Sequence, residues 1–191
     1  MKQWKWMLLV VGPLSLHLLG GCTNDEKTAA AFFQKGVTNF NRGAFTQAEV
    51  QFKQALQLNP SHVAAYEKLA ETYLKLGNSK AALDICHKIL EVDPENVNAR
   101  LKLAEFELLS GNLKQSQERI RIILSKQPNN TEALKIKAEI LEQENKLKRS
   151  AAVYHRITTI SPDNQEAYLG QARVLARLGE LDKAEAALRK A

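Results

Sequence analysis

Residues 63–96 read VAAYEKLAETYLKLGNSKAALDICHKILEVDPEN. Tyr66, Leu69 and Tyr73 recur at helical spacing, which predicts a first helix. Gly77 then stops it. A tight helix-to-helix turn needs a left-handed backbone residue, and glycine adopts that geometry without a Cβ clash. A second apolar stripe follows through Ala82, Cys86, Ile89 and Leu90. Asp93-Pro94 closes it, because the residue before a proline is pushed out of the α region.

The same grammar holds on both sides. In the segment from Ala29, Phe32, Val37 and Phe40 mark a first helix and Gly43 a turn. Phe45, Ala48, Phe52, Ala55 and Leu56 mark a second helix, and Asn59-Pro60 ends it. Pro60, Pro94, Pro128 and Pro162 lie 34 residues apart, and Gly43, Gly77, Gly111, Asn145 and Gly179 keep the same period. Asn145 breaks the glycine rule, but asparagine tolerates left-handed geometry better than most residues. Stacked in register, the units form columns. Gly36, Ala70, Ala104, Ala138 and Ala172 make one small column, and Ala48, Ala82, Ser116, Ser150 and Ala184 another. Small side chains let two helices approach, so these columns should mark where each hairpin crosses itself. Phe52, Cys86, Ile120, Tyr154 and Leu188 make a bulky column.

A period near 34 with these columns resembles the tetratricopeptide repeat. The resemblance spans residues 29–191 and implies an all-α solenoid of antiparallel helix pairs, with units 29–62, 63–96, 97–130, 131–164 and an incomplete 165–191. Arg100 departs from the column of Phe32, Tyr66, Leu134 and Tyr168, and Lys35, Lys137 and Gln171 from that of Leu69 and Leu103. A single hairpin is too thin to offset its ordering entropy, so neighbouring units must supply the other face. The last apolar stripe, Leu181, Ala184 and Leu188, asks for such a neighbour, so the array is expected to continue or to be covered by another chain.

The first 28 residues do not obey the repeat. Lys2 and Lys5 precede an apolar run from Met7 to Leu19 that contains Gly12-Pro13 and His17. That run is shorter than the ~20 residues of a membrane span. A charged start, a short apolar stretch and small residues before a cut describe a secretory signal peptide, here 1–21. Leu19-Gly20-Gly21-Cys22 resembles the lipobox of bacterial lipoproteins. The resemblance implies cleavage before Cys22, lipid on its thiol and acylation of the new N-terminus. With Thr23 rather than Asp after the cysteine, the resemblance favours the periplasmic face of the outer membrane if Gram-negative sorting rules apply. Residues 22–28 are expected to form a polar tether. An ordinary signal peptide with an incidental cysteine is the plainer alternative.

The chain of 191 residues carries 27 basic and 21 acidic side chains, a net charge of +6. Without Lys2 and Lys5 the basic count is 25 and the net charge +4. That is a mild excess with no basic stripe interleaved with aromatics, so no nucleic-acid partner is expected. With Cys22 lipidated, Cys86 has no partner and reads as a buried core thiol. His87 and His155 share a column two units apart, too far for one metal ion. No HExxH, paired Cys-x-x-Cys, phosphate loop or GxSxG occurs. The expectation is a non-enzymatic protein with no cofactor, no metal site and no small-molecule substrate.

In tetratricopeptide arrays the first helices line a concave groove. By that resemblance one groove column is Phe33, Glu67, Leu101, Lys135 and Leu169, and the next is Val37, Glu71, Glu105, Glu139 and Arg173. A third is Phe40, Leu74, Leu108, Glu142 and Ala176. The candidate partner-binding residues are therefore Phe33, Val37, Phe40, Glu71, Leu74, Leu101, Glu105, Leu108 and Glu139. The expected partner is a protein or peptide segment with apolar anchors and Lys or Arg. The glutamates have a competing explanation, since glutamate is a good helix former. Val37 and Glu71 stand where chaperone-binding members carry clamp asparagines, so that function does not transfer. The expected role is a lipid-anchored envelope scaffold in assembly or export of a surface structure, resembling either exosortase-associated or pilotin-like lipoproteins. The alternative is the N-terminal adaptor region of a longer envelope enzyme, such as a peptidase or a peptidoglycan-acting protein.

Overall fold

The computed structural model describes the backbone from Gly20 onward and side chains from Asp25. Residues 1–19, within the expected signal peptide 1–21, and the side chain of Cys22 lie outside that range. The described residues form helices and no strand. The first hairpin pairs α1 (Gly20–Asn41) with α2 (Phe45–Leu58), and the second pairs α3 (Val63–Lys75) with α4 (Ser79–Val92). The third pairs α5 (Val97–Leu109) with α6 (Leu113–Lys126), and the fourth α7 (Thr131–Gln143) with α8 (Leu147–Ile160). The last pairs α9 (Gln165–Arg177) with α10 (Leu181–Leu188). Each helix packs on the next in chain order, and α5 also touches α7, so the pairs stack as a solenoid. Residues 22–28, set aside as a tether, are part of α1. Nothing after Gly21 breaks a helix there, and Asp25 to Ala31 are ordinary helix residues.

The turns follow the expected chemistry. Gly43, Gly77, Gly111 and Gly179 have φ of 74–80°, and Asn145 takes the same left-handed region at 57°. That geometry lets the residue after the turn donate back across it. Asn78 N donates to Tyr73 O at 2.8 Å, Asn112 N to Glu107 O at 2.7 Å, and Lys146 N to Leu141 O at 2.8 Å. These bonds satisfy carbonyls that a helix end leaves open. The other ends carry N-caps. Asn96, Asn130 and Asn164 Oδ1 accept from the backbone N–H three residues on, each at 2.9 Å, and His62 Nδ1 does so at 3.3 Å. His62 is thus a cap in the same column as three asparagines.

The two small columns meet as expected. Ser116 Oγ donates to Ala104 O at 2.7 Å, and Ser150 Oγ to Ala138 O at 2.9 Å. Both serines are fully buried, so the hydrogen bond offsets burying a hydroxyl at the crossing. The bulky column fills the space beside them. Phe52 and Tyr154, its two rings, each lie against a glycine, Gly36 and Gly170. Burying one large apolar side chain contributes about 1.5–3 kcal/mol. Cys86 is buried as expected, and burial pushes its thiol up from the usual range.

One helix departs from the common register. The column of Thr38, Thr72, Phe106, Ile140 and Val174 is buried in the second, fourth and fifth units; Thr38 is an exposed polar residue, whereas in α5 the apolar Phe106 is 42% exposed. In that helix Leu101 and Leu108 pack forward against Ile136 and Ile140 of α7 instead. Apolar residues at 101, 103, 106, 108 and 109 surround α5, and two flanking helices cannot cover all of them.

Candidate partner-binding groove

A cavity of about 650 Å³ runs along α3, α5 and α7 and reaches the start of α9. The first helices of the second to fifth units each point an edge into it. Leu74, Phe106 and Leu109 supply exposed apolar surface, and Leu101 lines the cavity while only 6% exposed. Leu109 is 79% exposed. Five carboxylates line the same cavity, Glu67, Glu71, Glu105, Glu132 and Glu166, against two ammonium groups, Lys102 and Lys135. The lining therefore carries −3 within a chain of net +6.

Those charges are partly paired. Lys68 Nζ donates to Glu71 at 2.7 Å, and Lys135 Nζ donates to Glu166 at 2.6 Å across the unit boundary. Lys102 stands 3.9 Å from Glu105, too far for a good hydrogen bond. Burial opposes the Lys135 charge, yet Glu166, Glu139 and Glu105 outweigh it and raise its pKa. Glu139 is half-buried. Burial raises its pKa, and the attraction of Lys135 and Arg173 only partly offsets this.

The structure brings together four of the nine sequence-predicted residues, Glu71, Leu74, Leu101 and Glu105. Phe33, Val37 and Phe40 lie apart from this cavity and are half-buried against the Phe52–Leu69 cluster. The Phe33 ring sits 4.8 Å from that of His62, and Lys68 Nζ stands 5.2 Å over the Phe40 ring. The apolar N-terminal end is therefore largely occupied by its own neighbours. Leu108 needs correction as a partner-facing residue. It is only 3% exposed, because the turned register of α5 carries it into the core with Leu101 and Ile120. Glu139 does not line the cavity. Phe106 and Leu109, which do, were missed by column reading. The signal was present as an excess of apolar residues around α5.

At the C-terminal end the groove columns change character. Arg173 Nη2 donates to Glu142 Oε1 at 2.8 Å, and Arg177 Nη1 to Oε2 at 3.3 Å. Tyr154 Oη donates to the same carboxylate at 3.1 Å. Burial and the adjacent Glu142 push the Tyr154 phenol far above its ordinary range. Glu142, with only 10% of its side chain exposed, ties α7, α8 and α9 together. This end is a structural joint with satisfied charges, whereas the cavity over α3 and α5 keeps apolar side chains and carboxylates facing outward. Such a lining can hold an extended or helical segment by apolar burial and orient it by charge.

Among the described residues no helix is long and apolar enough to cross a membrane. The tetratricopeptide repeat pattern matches residues 40–91, 79–140 and 141–191. No curated protein matches the chain. Among solved structures, a crystal structure of MamA is similar with a TM-score of 0.73 at 18% identity, over 86% of this chain and 90% of that one. PilF of Pseudomonas aeruginosa is similar with a TM-score of 0.73 at 18% identity, over 87% and 76%. YrrB, described as a tetratricopeptide protein with an unusual peptide-binding site, is similar with a TM-score of 0.67 at 20% identity, over 90% of each chain. At these identities the likeness speaks for the fold. With three matched segments covering residues 40–191, this chain belongs to the tetratricopeptide repeat family.

Proposed function

We propose that this chain is a lipid-anchored scaffold of the bacterial envelope that holds a segment of another protein in its groove. Its work is assembly or export of a surface structure, of the exopolysaccharide/exosortase or pilus/secretin kind. The observation that carries the binding role is the outward-facing apolar group Leu74, Phe106 and Leu109, set among Glu71 and Glu105 on one face of successive units. The peptide-binding site described for YrrB supports the same use of this fold. The anchor rests on Leu19-Gly20-Gly21-Cys22 behind a charged, apolar leader. Two or more acyl chains hold a protein stably on a bilayer, at about 0.8 kcal/mol per buried methylene. The array then stands on the periplasmic face of the outer membrane with its groove open to a partner. The scaffold itself needs no catalytic group.

Fatty-acid labelling with cell fractionation tests the anchor. Label should enter the wild type and be lost in Cys22→Ala, and the variant should leave the membrane fraction. Equal labelling of both would end the lipoprotein reading.

A further inference from the structure

We infer that the groove's anchor pocket is the cleft between α4 and α5, and that its occupant is a cationic partner segment carrying a bulky apolar side chain. This rests on the groove reading and names the partner chemistry of that site. The cavity is not confined to first helices. Between the second and third units its wall reaches Ala82, Leu83, Cys86 and Ile89 of α4. These residues belong to the inner face of the hairpin. Beside them α5 packs forward onto α7 through Leu101 and Leu108. The same turn leaves Phe106 on the cleft wall, in a column that the second, fourth and fifth units bury.

The cleft therefore has an apolar floor on α4 that is nearly closed over, with Leu83 its more open residue, and an exposed apolar wall at Phe106 and Leu109. Its rim bears Glu71 and Glu105. A bulky aliphatic or aromatic side chain removes the exposed Phe106 and Leu109 surface from water, which is the main source of affinity. Lys or Arg residues flanking that anchor meet the rim carboxylates, and an acidic segment is repelled. The cavity lining carries −3, or −2 with the Lys68 that pairs with Glu71, against +6 for the chain, and this argues for a cationic occupant.

The test uses the full chain and three synthetic peptides of equal length built from Lys and Leu, Lys and Ala, or Glu and Leu. With Trp4→Phe and Trp6→Phe in place, Phe106→Trp supplies a single fluorophore on the cleft wall. The Lys/Leu peptide should blue-shift and shield that fluorophore and bind at least tenfold tighter than the other two. Phe106→Gln with Leu109→Gln should weaken it at least tenfold by labelled-peptide anisotropy. Val50→Gln, at an exposed apolar residue on α2, should not. Circular dichroism checks each fold. If the cleft variants bind normally while Glu71→Gln with Glu105→Gln weakens binding, the cleft is wrong and the groove stands. If none of these substitutions matters, both fall. A fluorophore shielded before peptide is added would give the cleft to the chain's own segment or a second copy, and overturn the proposal.

Discussion

Replacing Gly36 by alanine tests whether the bulky column sets the hairpin spacing. A Cβ at Gly36 would lie 2.5 Å from Cε1, 2.6 Å from Cδ1 and 3.1 Å from Cζ of Phe52. Carbon atoms in good contact sit at about 3.5–4.0 Å, so the ring must retreat by about 1 Å. It has nowhere to go. Phe52 is fully buried, and Ala48, Leu69 and the Phe33 ring surround it. Overpacking of this kind costs about 1–3 kcal/mol. Alanine's better helix propensity returns about 1 kcal/mol. The net expectation is a loss of about 1 kcal/mol, read as a lower midpoint in urea unfolding followed by circular dichroism. Other units show how the clash is relieved. In the third unit the bulky residue is Ile120 and the small column holds Ala104, while in the fourth Ala138 coexists with the Tyr154 ring, which lies against Gly170 of α9. Phe52→Leu should therefore absorb the added methyl, and the double variant should be more stable than the sum of the single effects by at least about 0.5 kcal/mol. Simple additivity, or a midpoint raised by Gly36→Ala alone, would refute the spacing argument.

The hairpin crossing gives a second expectation. Ser150→Ala should cost no more than about 1 kcal/mol, since it removes one buried hydrogen bond from a column that holds alanine elsewhere. Ser150→Val should cost more, by adding volume where α7 and α8 cross, and thermal unfolding compares the two. Glu139 gives a pH signature. Its folded-state pKa is raised, so between its unfolded and folded values the native state binds more protons than the unfolded one. Stability on this account falls as pH rises through that window and stays lowered above it. Glu139→Gln should raise the urea midpoint at pH 7 and lose that advantage below the ordinary glutamate pKa near 4.5. A constant effect across this range would contradict the assignment.

Repeat period and turn chemistry are local properties, which is why they could be read from the chain. Left-handed turns at Gly43 and Asn145 and the meeting of Ser116 with Ala104 follow from residue type and spacing. The caps at Asn96, Asn130 and Asn164 were equally local, and asparagine before an apolar run was the signal. The groove was harder, because groove membership depends on how far each helix is rotated against its neighbours. Column arithmetic assigns Leu74 and Leu108 the same environment, yet one faces outward and the other is buried. What separates them is the competition between the second and fourth units for the apolar surface of α5. Charge was easier to place than apolar contact, since Glu71 and Glu105 stay on the surface under either rotation. The leader's chemistry rests on Leu19 to Cys22 alone.

The central claim is that a partner chain lies along α3 and α5. It is tested most directly by placing a photo-reactive phenylalanine analogue at Leu109 in the groove, or at Val50 on α2, in the protein expressed in its own cells. Irradiation should join Leu109-substituted protein to one discrete partner band, and the band should fade when Glu71→Gln and Glu105→Gln are added. Adducts from Val50 at equal yield, or none from Leu109, would contradict the account.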